Sequence, residues 1–597
     1  MPRKDRTIKY TDRDFDSIKE SLVNYAQRYY PDTFRDFGEA GFGALMTDYV
    51  AYIGDILSFY LDYQANETYL DTAIEFDNII KIAKTLGYKF SYDYTSQGLV
   101  SFYATIPASL TNETSLDSDY APVLKKGAAL ATDDGSRFIL SEDVNFADPD
   151  NQREVAVVDD STGRVTHYAV RAIGKVISGE MVTADLEVEA FERFKKVEIL
   201  DDFITEIISV IDSDGNEYFE VDHLSQNVIY ESVKNSDAPN DKVESLMKPK
   251  LVTRRFEVEK REDSTILQFG YGSDKNLTSD TFGRPENVAI QKFGRPYVSS
   301  TTFDPTNLIE NDKFGIAPAN TTLTVKYLKN SSLNPNASKG EINIITDSRL
   351  VFPGTGNTAI TEEAVQQSLA VANEEPIVGS VAIPDSDEIR TRAVSFIASQ
   401  KRAVTKQDYE SLCYSMPSNF GAVKRVRALQ DKDSFKKNLN LYVISENSLG
   451  QFTETNTTIK ENLKTWITRH KMITDTVDIL DAKVINLSVN FTVVADVDRN
   501  KFDVLAACIE SLARFFDVKF DIGEPLFFND IFRELKDVDG VLDVTEVFCK
   551  SLSGGDYSSS QFTIADNLSV DGRSLLQQED QVFEIKFFDK DLIGTVL

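Results

Sequence analysis

The chain has 597 residues, 41% of them hydrophobic and 27% charged, with 96 acidic against 64 basic residues for a net charge of −32. This length exceeds what one hydrophobic core usually fills and predicts roughly three to five globular domains, neither disordered nor fibrous. The acidity argues against direct nucleic-acid binding, which needs a basic footprint; the basic runs are short, at Arg3-Lys4-Asp5-Arg6, Lys401-Arg402 and Lys424-Arg425-Val426-Arg427.

The first 90 residues read as helical. Phe15, Ile18, Leu22 and Tyr25 recur at spacings of three and four up to Pro31, and a longer helix from Gly41 carries Phe42, Leu45, Tyr49, Ile53, Ile56 and Tyr60. Ile79, Ile82, Ala83 and Leu86 form a third stripe, closed by Gly87 at the position a left-handed helix cap favours. Apolar residues cover well over half the circumference of the second helix, so it needs several neighbours, from this chain or from another subunit. From about residue 97 to 350 the period changes. Short segments such as Val100-Ser101-Phe102-Tyr103-Ala104, Phe138-Ile139-Leu140, Phe256-Glu257-Val258-Glu259 and Thr321 to Tyr327 are bounded by Gly, Asp, Asn or Pro and predict antiparallel strands with exposed loops. Residues 272–320 are rich in turn formers and read as a long loop or arm. Helices return with Ile389, Ala393, Phe396 and Ile397. Thr405 with Asp408 predicts an N-cap, and Ile459, Leu463, Trp466 and Ile467 mark a further helix. Ile485, Leu487, Val489, Phe491 and Val493 alternate with polar residues as a half-buried strand. Two helices and the strand Val541-Leu542-Asp543-Val544 follow, a strand-helix-helix-strand order that predicts a small α+β domain.

Residue types that carry chemistry are sparse. His167, His223 and His470 stand alone, without a second ligand at metal spacing. Asp212-Ser213-Asp214-Gly215-Asn216-Glu217 has the flavour of a calcium loop, but its glycine comes too early, and a tight turn is the better reading. Gly354-Thr355-Gly356 lacks the Lys-Ser/Thr of a phosphate cradle, and no Gly-x-Ser-x-Gly elbow is present. The expectation is therefore no catalytic residues, no metal and no cofactor. Cys413, Cys508 and Cys549 are far apart and read as thiols of a reducing compartment. No apolar leader follows Met1-Pro2-Arg3-Lys4 and no run approaches about 18 apolar residues, so synthesis in a cytoplasm without membrane insertion is expected.

Four groups of residues, in order along nearly the whole chain, resemble the baseplate J-like family, and most of all the large baseplate wedge protein of contractile-tailed bacteriophages. They are Gly41-Phe42-Gly43-Ala44-Leu45-Met46-Thr47-Asp48-Tyr49 with Asn66 to Ala73 and Leu86-Gly87-Tyr88; Pro122-Val123-Leu124-Lys125-Lys126-Gly127 with Phe138; Asp385 to Arg390 with Arg402 to Glu410; and Gly523 with Gly540-Val541-Leu542-Asp543-Val544. The family's Gly-Gly-x-Asp is here Ile383-Pro384-Asp385-Ser386, and 272–350 has no counterpart. The resemblance implies a virion structural protein of the tail baseplate, in multiples of six around the hub. It implies binding to other wedge proteins, self-association as a dimer, contact with the tail sheath or hub, and relay of baseplate rearrangement to sheath contraction.

Together these readings predict a multidomain α+β chain. It comprises an N-terminal helical bundle (1–92), a β-rich domain (93–271), a loop-rich arm or β extension (272–350), a helical and mixed domain (351–480), a small α+β dimerisation-type domain (481–550) and a C-terminal strand extension (551–597). Interface candidates are Phe42, Tyr49, Ile53, Tyr60, Trp466 and Phe516, each weighed equally against packing in the chain's own core. The alternatives are a tail receptor-binding or polysaccharide-degrading protein, which the helical ends oppose, and an unrelated cytoplasmic scaffold.

Overall fold

The computed structural model describes residues 14–29, 41–109, 115–161, 163–234, 245–261, 264–273, 314–354, 358–431 and 438–597. The basic run at Arg3 to Arg6, Pro31, Thr355-Gly356 and residues 274–313 of the expected arm lie outside them. The fold is multidomain α+β, with a helical N-terminal region and a β-rich body, in two compact units formed by residues 1–90 with 383–415 and by 91–382 with 416–597.

The helical unit contains α1 (Phe15–Tyr29), α2 (Phe42–Asn66) and α3 (Phe76–Thr85), followed by the helices Ser386–Ser399 and Lys406–Tyr414. α3 buries Ile79 and Ala83 against Ile389, Ala393 and Phe396, and Tyr88 closes this small core. Between α2 and α3 the buried Glu67 carboxylate accepts hydrogen bonds from the Ile74 amide (2.7 Å) and the Asn78 side chain (2.9 Å). Burial alone pulls its acidity toward the neutral form, but these bonds and the Arg390 charge outweigh it and hold the pKa below the ordinary value. Thr405 caps its helix as expected: its hydroxyl accepts from the Asp408 amide (3.2 Å), and the Asp408 carboxylate accepts from the Thr405 amide (2.8 Å).

The β-rich unit holds two seven-stranded sheets. The inner one runs Ile342–Asp347, Ala129–Thr132, Arg137–Leu140, Val165–Ser178, Gln97–Pro107, Ala370–Ala372, with Gln152–Val158 also pairing Val165–Ser178. Its core gathers Phe102, Phe138, Phe146, Val170 and Ile342. The outer one runs Glu180–Val188, Thr321–Lys329, Ile204–Ile211, Glu217–Glu220, Arg255–Lys260, Thr265–Phe269, Lys196–Ile199 around Val210, Phe256, Phe269 and Val325. In the described part of 272–350, the expected strand is present as Thr321–Lys329, which pairs on both sides within the outer sheet, and Ile342–Asp347 edges the inner one. A four-stranded sheet (Arg425–Gln430, Leu439–Glu446, Phe452–Thr453, Val477–Asp481) carries the helix Thr457–Thr468. The strand Lys483–Ala495 then pairs with Val541–Leu552, Gln581–Glu584 and Leu592–Val596 beneath the helices Lys501–Asp517 and Phe528–Lys536. The strand-helix-helix-strand order of the sequence is present, joined by strands from the C-terminal stretch.

The segments linking these sheets meet in a buried polar seam. The side chain of Asn336, 2% exposed, donates to the Ser380 (2.9 Å) and Glu446 (2.8 Å) carbonyls and accepts from the Ser96 hydroxyl (2.6 Å) and the Ser380 amide (3.1 Å). Asn330 joins Ser178 to the Tyr94 carbonyl, and Asn456 donates to the carbonyls of Gln97 and Pro376. Close approach demands glycine at two positions. A Cβ on Gly379 (φ +135°) would lie 2.6 Å from the Thr95 carbonyl oxygen, and one on Gly421 (φ +83°) 2.5 Å from Ile459 Cδ1. Because Asn336 meets its full donor and acceptor capacity, Asn336→Ala strands several buried polar groups. It should destabilise the β-rich unit by about 3 kcal/mol or more, whereas Asn343→Ala, whose amide reaches only the exposed Asp133, should change little. The thermal unfolding midpoints of the two variants distinguish these outcomes.

Candidate interaction surface

α2 reverses the usual amphipathic arrangement. Its buried residues are Ala44, Ala51 and Ser58, a seven-residue repeat of small side chains. Thr47 and Gly54 extend that stripe, and a Cβ on Gly54 would lie 3.2 Å from Ile18 Cδ1 of α1. Small residues let the two helices approach closely, and Lys19 of α1 pairs with Asp48 at 2.6 Å beside the contact.

Large side chains occupy the rest of the circumference. At about 100° per residue, the arc from Phe59 through Leu45, Tyr49, Ile53 and Leu57 to Leu61 spans roughly 200° and contains no charged residue. Phe42 is 75% exposed, Tyr49 60% and Tyr60 61%; Leu45, Met46, Tyr52, Ile53, Leu57 and Leu61 are exposed as well, and Tyr25 and Tyr29 of α1 add to the apolar surface. The charges of α2 are three aspartates, Asp48, Asp55 and Asp62, again seven apart, on the α1 side; it has no lysine or arginine. No helix among the described residues is long and apolar enough to cross a membrane. This face, interrupted by the exposed Gln64, is the candidate interaction surface.

Four of the six sequence candidates, Phe42, Tyr49, Ile53 and Tyr60, thus lie together on this one face. The other two do not join them. Trp466 is half-buried and packs on His470, with ring centroids 4.5 Å apart. Phe516 is 4% exposed, inside the core under the strand Lys483–Ala495, where it contacts its own chain. Sequence reasoning passed over the packing role of Ala44, Ala51 and Ser58, although their seven-residue spacing was available as a signal.

Little else gathers reactive groups. Among the described residues no group of three or more His, Cys, Asp or Glu is placed to hold a metal. Burial pushes the thiols up, Cys508 to about 11 and Cys549 to about 12, with Cys413 also raised, so they stay protonated and unreactive near neutrality. A surface hollow of about 360 Å³ is lined by Ile345, Ser348, Glu363, Gln366, Gln367 and Leu369, one carboxylate without a histidine, cysteine or lysine beside it. The segment Asp212 to Asn216 is a tight turn in which Asp212 accepts from the Asp214 and Asn216 amides.

Residues 14–85, which comprise α1 to α3, match the family model described as bacteriophage baseplate protein, N-terminal domain. No curated protein matches the chain. Among solved structures it is similar to a chain of the six-fold symmetrised cryo-EM structure of the anti-feeding prophage baseplate, at 10% identity and a TM-score of 0.28, covering 97% of this chain and 99% of that one. A chain of the type VI secretion system TssK-TssF-TssG baseplate subcomplex is similar at 8% identity and a TM-score of 0.28, covering 72% of this chain and 96% of that one. At such TM-scores neither likeness fixes the fold.

Because the large side chains of α2 make little contact within the chain, Tyr49→Ser with Ile53→Ser, Leu57→Ser and Tyr60→Ser should leave the unfolding midpoint nearly unchanged, within about 0.5 kcal/mol per site. The same variant should lower the binding of a hydrophobic dye. Ala51→Leu, which overpacks the α1 contact, should cost about 1–3 kcal/mol in the helical unit.

Proposed function

We propose that this chain is a structural subunit of a contractile-tail baseplate, without catalytic activity, and that the apolar face of α2 is where neighbouring subunits bind. The observation that carries the proposal is the coincidence of that face with the segment matching the baseplate N-terminal domain. An arc of roughly 200° is wider than the stripe one partner helix covers, so two or more helices are needed to shield it. In the finer form of the proposal the chain is a wedge protein of the J-like type, present in multiples of six around the hub. It pairs with a second copy through the domain at 481–550 and transmits rearrangement of the ring to the sheath. Closed rings need contacts that repeat under symmetry and elements able to shift as rigid bodies. The described domain plan, with sheets joined through one polar seam, is compatible with such rigid elements.

Light scattering of the purified chain, alone and mixed with the other wedge subunits of the same tail, tests this. The expected result is a discrete dimer that grows into a heteromeric complex of defined mass. The quadruple serine variant of α2 should lose the heteromeric complex, while circular dichroism shows the β-rich unit unchanged. A partner-indifferent monomer overturns the baseplate assignment; a variant that assembles like the wild type overturns only the placement of the contact on α2.

A further inference from the structure

The β-rich unit contains a lysine held inward by groups from several segments. Lys260, the last residue of the strand Arg255–Lys260, is half-buried. Its Nζ donates to the Thr205 carbonyl of the strand Ile204–Ile211, two places along the outer sheet, at 2.7 Å, and to two hydroxyls outside that sheet, Ser91 at 3.2 Å and Ser418 at 3.3 Å. Ser91 begins the stretch that leads into the inner sheet. Ser418 lies in a 3-10 turn whose carbonyl accepts from Thr95, in the same stretch. A single ammonium group thus ties the outer sheet to both of these segments. The acids around it come from each side: Asp93 from the entering stretch, Glu206 and Asp202 from the outer sheet and its approach, and Glu220 from the neighbouring strand. Asn419 of the 3-10 turn donates to Glu206 at 3.5 Å, and Lys126 adds a distant positive charge on Glu206.

We propose that Lys260 and its ring of acids form a proton-controlled latch that sets how firmly the outer sheet is held to the connection formed by residues 91–95 and 418–419. Near neutrality one cation faces several acids. Burial, opposed by Lys260 and aided by Asp202, pushes Asp93 up from 3.8 to about 6, and burial likewise raises Glu206. Burial, opposed by Asp93, Glu220 and Glu206, pushes Lys260 down from 10.5 to about 8. A raised carboxyl binds its proton more tightly in the latched arrangement, so acidification through pH 6 tightens the latch. A lowered ammonium loses its proton more readily there, so alkalinisation through pH 8 tightens it as well. The latch is loosest between about 6 and 8, where Asp93 and Lys260 are both charged, so a modest push releases the outer sheet in that window.

Hydrogen exchange of the full chain, corrected for intrinsic rates and referenced to the strand Lys483–Ala495, tests the proposal. Protection of the strands Ile204–Ile211 and Arg255–Lys260 should pass through a minimum near pH 7 and rise about tenfold by pH 5. Asp93→Asn with Glu206→Gln should flatten the acid limb and keep the alkaline one. Lys260→Met should abolish the alkaline limb and move the acid limb to higher pH, since the carboxylates lose their cation. Relative protection that is level from pH 5 to 9, or limbs that persist in the acid-to-amide variant, would overturn it. That variant carries no new bulk, so the test stands even if Lys260→Met fails to fold.

Discussion

The β-rich unit depends on hydrogen bonds that no regular ladder supplies. Where Tyr94 to Gln97, Asn330 to Asn336, Pro376 to Ser380 and Asn456 come together, backbone carbonyls and amides leave the strands and face one another in the dry interior. Each would cost a full desolvation penalty if left unpaired. Asparagine answers this need because it carries donors and an acceptor on one short planar group, and Asn336 uses all of them on segments up to 240 residues away from it in sequence. Glycines at 379 and 421 let the backbones draw close enough for those bonds to form. Two sheets with separate apolar cores are thereby held at one polar junction, and Lys260 sits at the edge of the same junction.

α2 shows the opposite balance. There the intramolecular contact is made by small residues with little apolar area, while side chains worth about 1.5–3 kcal/mol each on full burial face outward. An isolated chain gains nothing from them, and they favour aggregation unless a partner covers them. The acidic surface implied by a net charge of −32 works against that outcome by keeping uncovered copies apart. The proposed role, a subunit that is covered by partners only on assembly, has use for both properties.

Much of this fold was legible in the amino-acid order. α2 and α3 follow from apolar periodicity, the Thr405 cap from one hydroxyl three residues before one carboxylate, and the strand Lys483–Ala495 from strict alternation. The longest strand of the inner sheet, Val165–Ser178, was not legible. Its residues sit between two neighbours and alternate less cleanly, and its pairing with Gln97–Pro107 and Arg137–Leu140 depends on partners that local sequence does not name. The same holds for Ile342–Asp347, which carries no strand signal of its own within the region read as an arm or β extension and pairs beside Ala129–Thr132.

By itself the sequence determined which segments are helix or strand wherever a period of 3.6 or 2 runs long enough, and it marked α2 as too apolar for a solitary helix. Only the tertiary structure decided which side of each element is covered. Phe42 and Phe516 are alike as sequence features, apolar residues on helical stripes, yet one is 75% exposed and the other 4%. The reason is physical: hydrophobicity states that a side chain gains by leaving water, but not whether its own chain or another offers the place to go. At Phe516 the sheet around Lys483–Ala495 offers it, and along α2 the contact with α1 is already taken by Ala44, Ala51 and Ser58.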